Sequence, residues 1–90
     1  MPKARTTIVN KRGLHARASS KLAGLAAEFS ADIKLHTSDR HANATSIMEL
    51  MMLAASLGTE VAVECEGDNA EHALQAIIQL IENGFDETDD

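Results

Sequence analysis

Glu60-Val61-Ala62-Val63-Glu64-Cys65-Glu66 is the stretch on which the fold turns. Val61, Val63 and Cys65 alternate with Ala62, Glu64 and Glu66, the period-two pattern of a β-strand. One apolar face and one charged face describe an antiparallel sheet covered on one side and wet on the other. Downstream, Asp68-Asn69-Ala70-Glu71 resembles a capping box, and a helix follows that buries Ala73, Leu74, Ile77, Ile78 and Ile81. It stops at Asn83-Gly84, where Phe85 is placed to fold back on Leu80. Upstream, Ser46-Ile47-Met48-Glu49 fits a second capping box and opens a helix that runs to Leu57-Gly58. Asp32 to His36 alternates with Ile33 and Leu35 on one side, Thr37–Arg40 is a turn, and His41–Ala44 pairs back as a short strand. Residues 5–9 are β-branched and read as a first strand. Ala16 to Glu28 carries Leu22, Leu25, Ala26 and Phe29 at helical spacing. The order is β-α-β-β-α-β-α. Each strand has one apolar face, so the expected architecture is α+β: a two-layer open-faced sandwich, three helices on one face of a four-stranded antiparallel sheet.

Ninety residues, 44% of them apolar, suit one compact domain over residues 1–90, with 86–90 expected to fray as an acidic, solubilising tail. No Gly/Ser-rich linker or repeat divides the chain. The net charge of −6 is unevenly spread: residues 1–40 hold all eight Lys and Arg against three acids, a net of +5, and residues 41–90 hold eleven acids and no Lys or Arg. A bipolar chain with no Trp or Tyr and two Phe is not expected to bind nucleic acid, since it lacks both a net basic surface and stacking aromatics. Cys65 is alone, no apolar signal core opens the chain, and the longest apolar run, Leu50–Ala55, is too short for membrane insertion. A cytoplasmic, monomeric domain is expected.

Chemistry concentrates where the first strand meets the first helix, at Gly13-Leu14-His15-Ala16-Arg17. The N–H groups of Ala16, Arg17 and Ala18 open the helix, and with the positive end of its dipole they favour an anion. Arg17 adds a planar cation suited to phosphate oxygens. A nucleophilic imidazole beside an anion cradle is equipped to accept a phosphoryl group on nitrogen. Read by itself the motif also fits a plainer role, with His15 capping the helix and Arg17 a solvated charge.

Gly13-Leu14-His15-Ala16-Arg17-Ala18-Ser19 resembles the active-site motif of HPr, the histidine phosphocarrier family of the bacterial phosphoenolpyruvate-dependent phosphotransferase system. Asn43-Ala44-Thr45-Ser46-Ile47-Met48 is similar to that family's second signature, and the order of elements agrees from about residue 5 to residue 86. The resemblance implies a phosphoryl carrier with a phosphohistidine intermediate and no turnover of its own. His15 would take the phosphoryl group from enzyme I on Nδ1 and pass it to A components of sugar permeases, and Arg17 would stabilise the phosphohistidine. No cofactor is implied, because phosphoenolpyruvate chemistry and magnesium belong to partners. Ala18 departs from the family, where proline is usual, but alanine is an excellent helix former.

Ser46 reads as a helix cap, and in many relatives the same serine is the target of a regulatory kinase and phosphatase. Thr45 in place of the usual lysine, and Glu49 in place of a small or neutral-to-basic residue, weaken that transfer, because a phosphate on Ser46 faces Glu49 one turn away. Ile47, Met48, Met51 and Met52 make the second helix apolar almost all round, more than a peripheral helix buries, and read as an exposed docking patch. No metal site is expected: His36, His41 and His72 lack ligand spacing, His36 and His41 read as solvated, and Cys65 reads as a small buried hydrophobe. Two other functions stay open. One is a nitrogen-branch carrier feeding a regulatory phosphorelay, which Ile81–Glu87 resembles; the other is a non-catalytic regulatory binding module acting through Ser46. Lys11, Arg12, Arg17 and Lys21 flank His15, giving an expected local positive field around an exposed histidine on an acidic body.

Overall fold

The computed structural model describes residues 2–87. Strands β1 (Lys3–Thr7), β2 (Asp32–His36), β3 (His41–Asn43) and β4 (Glu60–Glu66) form one antiparallel sheet in the order β1-β4-β2-β3. Helices α1 (Ala16–Ala26), α2 (Ile47–Met52) and α3 (Ala70–Glu82) pack on one face, and a 3-10 turn, Gly84–Asp86, follows α3. The expected α+β open-faced sandwich is the architecture observed.

Alternation in β4 places Val61, Val63 and Cys65 wholly in the core. Register aligns the neighbouring apolar positions with them, Ile33 opposite Cys65 and Leu35 opposite Val63. On the open face Glu64 lies between Lys3 and Lys34, two opposite-charge cross-strand pairs. α3 buries Ala70, Ala73, Ile77 and Ile81 at spacings of three and four, with Leu74 and Ile78 half-buried at the margin. α1 contributes Ala18, Leu22 and Ala26 from its inner face.

Five boundaries differ from the sequence reading, β3 among them, which ends at Asn43 and not at Ala44. β1 starts two residues before the β-branched run, because its ladder with β4 begins at Lys3 opposite Glu64; Ile8 then enters the core and Val9 is exposed. α1 ends at Ala26, not Glu28. The box at Asp68 does not form: Asn69 is the cap residue, in a left-handed conformation with no side-chain cap bond. The largest difference is α2, which ends at Met52 instead of running to Leu57. Ala54 adopts φ 55°, which ends the helix and turns the Ala55 carbonyl toward the loop before α1, where it accepts the Leu14 N–H at 2.9 Å. That supporting contact explains Gly13. Its φ is +63°, and a β-carbon there would collide with the Ala55 carbonyl oxygen and sit 2.7 Å from the Ser56 Cα.

Candidate functional site: the N-terminus of the first helix

Asn10-Lys11-Arg12-Gly13 turns the chain from β1 into α1. Asparagine at the first position and glycine at the fourth suit a tight turn, which the Gly13 N–H closes onto the Asn10 carbonyl at 3.2 Å. Asn10 is 6% exposed, and its Nδ2 donates to the Gly13 carbonyl at 3.0 Å. Ser19 Oγ donates to the Leu14 carbonyl at 3.1 Å, tying the loop to the first turns of α1.

His15 is the cap residue of α1, in extended conformation, and its Nδ1 accepts the Arg17 N–H at 3.3 Å. Its Nε2 lies 2.5 Å from Glu87 Oε2, across 72 residues of chain. A neutral imidazole has one donor nitrogen and one acceptor. Only the tautomer with the proton on Nε2 satisfies both contacts, leaving the lone pair on Nδ1 beside the helix terminus. Glu87 Oε1 meanwhile accepts from Asn10 Nδ2 at 2.9 Å, so one buried amide group donates both to the loop and to the carboxylate. Asn10 Oδ1 is buried without a partner among the described residues. Rotating the amide would aim that oxygen at two acceptors, so the orientation follows from the network. Burial works to raise the Glu87 carboxyl pKa; the bonds from Asn10 and His15, the charge His15 carries when protonated and the charge of Arg12 outweigh it, holding the carboxyl below its ordinary value near 4.5.

The sequence-derived site residues fall into place unevenly. The His15 side chain is 21% exposed instead of open, because Glu87 lies against its outer nitrogen. Ala16 and Arg17 face solvent, and Arg17's guanidinium makes no hydrogen bond among the described residues. Ala18 is wholly buried, since it begins the inner face that continues through Leu22 and Ala26; of the three first-turn residues only Ala16 and Arg17 are exposed. Lys21 does not stand free around His15: its Nζ donates to the Phe85 carbonyl at 2.8 Å. The expected fraying does not extend to Asp86 and Glu87. Phe85 is fully buried, Asp86 closes the 3-10 turn, and the Glu87 N–H bonds back to Gly84 at 3.1 Å; residues 88–90 lie outside the described ones.

Ser46 caps α2, its Oγ accepting the Glu49 N–H at 3.2 Å. The box closes differently from its usual form, because the Glu49 carboxylate reaches past Ser46 to the Asn43 N–H at 2.8 Å. Met48 and Met52 are 71% and 66% exposed, Ile47 and Met51 each 43%. The Leu14–Ala55 bond joins the His15 loop directly to the chain leaving this helix. Away from the site, His36 is not simply solvated, since its Nε2 lies 2.9 Å from Glu64 Oε1. Cys65 is buried, and burial, then the Glu64 charge, pushes its thiol pKa up. No helix is long and apolar enough to cross a membrane among the described residues.

Asn10 and Glu87 are the site residues that sequence reading missed. The turn-forming pattern of residues 10–13 is a local sign for Asn10. Nothing local marks Glu87, one acid in a run of them.

Comparison with known proteins shows the family. The family model for the HPr component phosphorylation site of the phosphotransferase system matches residues 2–83. The phosphocarrier protein HPr of Cupriavidus necator is 48% identical, over 91% of this chain and 92% of that protein. The phosphocarrier protein NPr of Shewanella violacea is 44% identical, over 90% and 89%. A crystal structure of HPr from Thermoanaerobacter tengcongensis superposes with a TM-score of 0.93 at 39% identity, covering 98% of this chain and 99% of that one. With a histidine at the head of α1 and a family match over nearly its whole length, the chain belongs to the HPr family of bacterial phosphotransferase-system phosphocarriers.

Proposed function

We propose that the protein accepts a phosphoryl group from phosphorylated enzyme I on His15 Nδ1 and delivers it to A components of sugar permeases in the cytoplasm. The observation that carries this reading is the direction of Nδ1, whose lone pair faces the Arg17 N–H at the positive end of α1. That bond is long at 3.3 Å and yields readily to an incoming phosphorus. After transfer the same N–H and the dipole face phosphate oxygens, and the exposed Arg17 guanidinium is within the same first turn to balance their charge. No group in the first turn of α1 is acidic, so nothing there repels the phosphate.

The test is incubation with enzyme I and phosphoenolpyruvate, followed by intact mass. One acid-labile phosphate is expected, and none in His15→Ala. Label that survives acid, or that persists in the variant, contradicts the reading.

Ile47, Met48, Met51 and Met52 serve as the docking patch for both partners, flexible apolar side chains on the helix whose exit supports the His15 loop. Met48→Asp is expected to weaken association with enzyme I about tenfold, a loss of about 1.4 kcal/mol, with an unchanged fold by circular dichroism. Equal transfer kinetics in that variant would remove the docking role.

Transfer to the nitrogen-branch A component is the second reading, favoured by the 44% identity to an NPr. A side-by-side transfer assay against the two kinds of A component separates them. A purely regulatory module acting through Ser46 is not favoured: Glu49 already occupies the head of α2, and such a module has no use for the His15 arrangement.

A further inference from the structure

We propose that Glu87, clamped by Asn10, is a positioning residue for phosphoryl transfer, holding the His15 ring with its proton on Nε2 and its lone pair on Nδ1. The inference rests on the phosphocarrier reading and names a part of the site that the two sequence motifs leave out.

The geometry has three linked members. Glu87 Oε2 meets His15 Nε2 at 2.5 Å, Glu87 Oε1 meets Asn10 Nδ2 at 2.9 Å, and Asn10 is tied to the Gly13 carbonyl at 3.0 Å. Glu87 therefore cannot swing away from the ring without giving up its bond to Asn10, a residue that is itself buried. Its backbone is anchored too, by fully buried Phe85 and by the bond to Gly84. A long side chain near a chain end is normally free to rotate; here the side chain is 13% exposed and both carboxylate oxygens are engaged. Among the described residues Asn10 Oδ1 is buried and unpaired, so the amide is oriented by its two donated bonds.

The transfer step balances with this arrangement. The Nδ1 lone pair attacks phosphorus, a nitrogen–phosphorus bond forms, and the bond from phosphorus to the donor's nitrogen breaks, its electron pair leaving on that nitrogen. The ring keeps its Nε2 proton and becomes a positively charged imidazolium. The Glu87 carboxylate faces that proton, so it both selects the reactive tautomer beforehand and balances the charge that develops, the division of labour seen wherever a carboxylate orients a catalytic imidazole. The reverse transfer uses the same contact. Arg12 supplies a nearby positive charge to Glu87 and helps keep it ionised.

Glu87→Gln retains the shape and an accepting oxygen but removes the charge. Phosphoramidate serves as the phosphoryl donor, so that no partner protein enters the measurement. Nitrogen-15 spectra of histidine-labelled protein should give the Nε2–H tautomer at His15. In Glu87→Gln the share of the Nδ1–H tautomer should rise and the phosphorylation rate should fall at least threefold. Asn10→Ala should move both in the same direction by a smaller amount. A role limited to tethering the chain end would leave the tautomer unmoved. Unchanged tautomer and rate in Glu87→Gln, or an Nδ1–H tautomer in the unmodified protein, overturns the proposal while leaving His15 as the acceptor. No phosphorylation of His15 in the unmodified protein overturns the carrier reading and this proposal with it.

Discussion

Two helices in this molecule begin alike. In α1 a side-chain nitrogen of His15 accepts an N–H two residues on, and in α2 the oxygen of Ser46 accepts one three residues on, at 3.3 and 3.2 Å. What differs is the charge each terminus already holds. α2 has Glu49 in its first turn, its carboxylate fastened to the Asn43 N–H, so the positive end of that helix is already compensated from within. α1 has no acid in its first turn and carries Arg17 there. The carboxylate it meets among the described residues, that of Glu87, comes from 72 residues along the chain and binds the outer nitrogen of the cap instead of the helix itself. A cap satisfied by its own neighbours is structural, whereas a cap oriented from outside leaves its helix terminus open to an anion.

Substitutions at the two termini should therefore separate function from stability. The largest effect is expected at His15→Ala, which abolishes phosphoryl acceptance, while Ser46→Ala leaves the enzyme I assay unchanged. Equal losses in both variants would erase the contrast. Next is Gly13→Ala. Its positive φ and collision with the Ala55 carbonyl together predict a destabilisation of about 2–4 kcal/mol in urea unfolding, because the His15 loop must lift off the chain that leaves α2. A loss below about 1 kcal/mol would mean that the two segments are not coupled as described. The smallest effect is the stability cost of Ser46→Ala, about 1 kcal/mol for a lost cap, measured in the same unfolding experiment.

Much of this organisation is legible in the sequence, for reasons that also explain what is not. β2 and β4 announce themselves because strict alternation reflects one buried face, and Ile33, Leu35, Val61, Val63 and Cys65 all lie where that pattern puts them. His15 and Arg17 are legible because a helix start and its chemistry are local. The end of α2 is hidden because Leu53-Ala54-Ala55 has no helix breaker; Ala54 takes a positive φ, and the Ala55 carbonyl accepts the N–H of Leu14, some forty residues earlier. Glu87 is hidden for the same reason on a longer scale. A charge count sees an acidic tail, and only the turn around Phe85 brings one of those acids onto the basic third of the chain. Among the described residues, the local positive field expected around His15 thus contains the Glu87 carboxylate, set against the outer nitrogen of the imidazole.

The central claim is that Nδ1 of His15 is the phosphoryl acceptor. Nitrogen-15 histidine labelling, phosphorylation by enzyme I and phosphoenolpyruvate, and measurement of phosphorus–nitrogen coupling address it directly. A one-bond coupling on His15 Nδ1, with Nε2 still protonated, is the predicted result. Coupling on Nε2, or on any of the other three histidines, would contradict it.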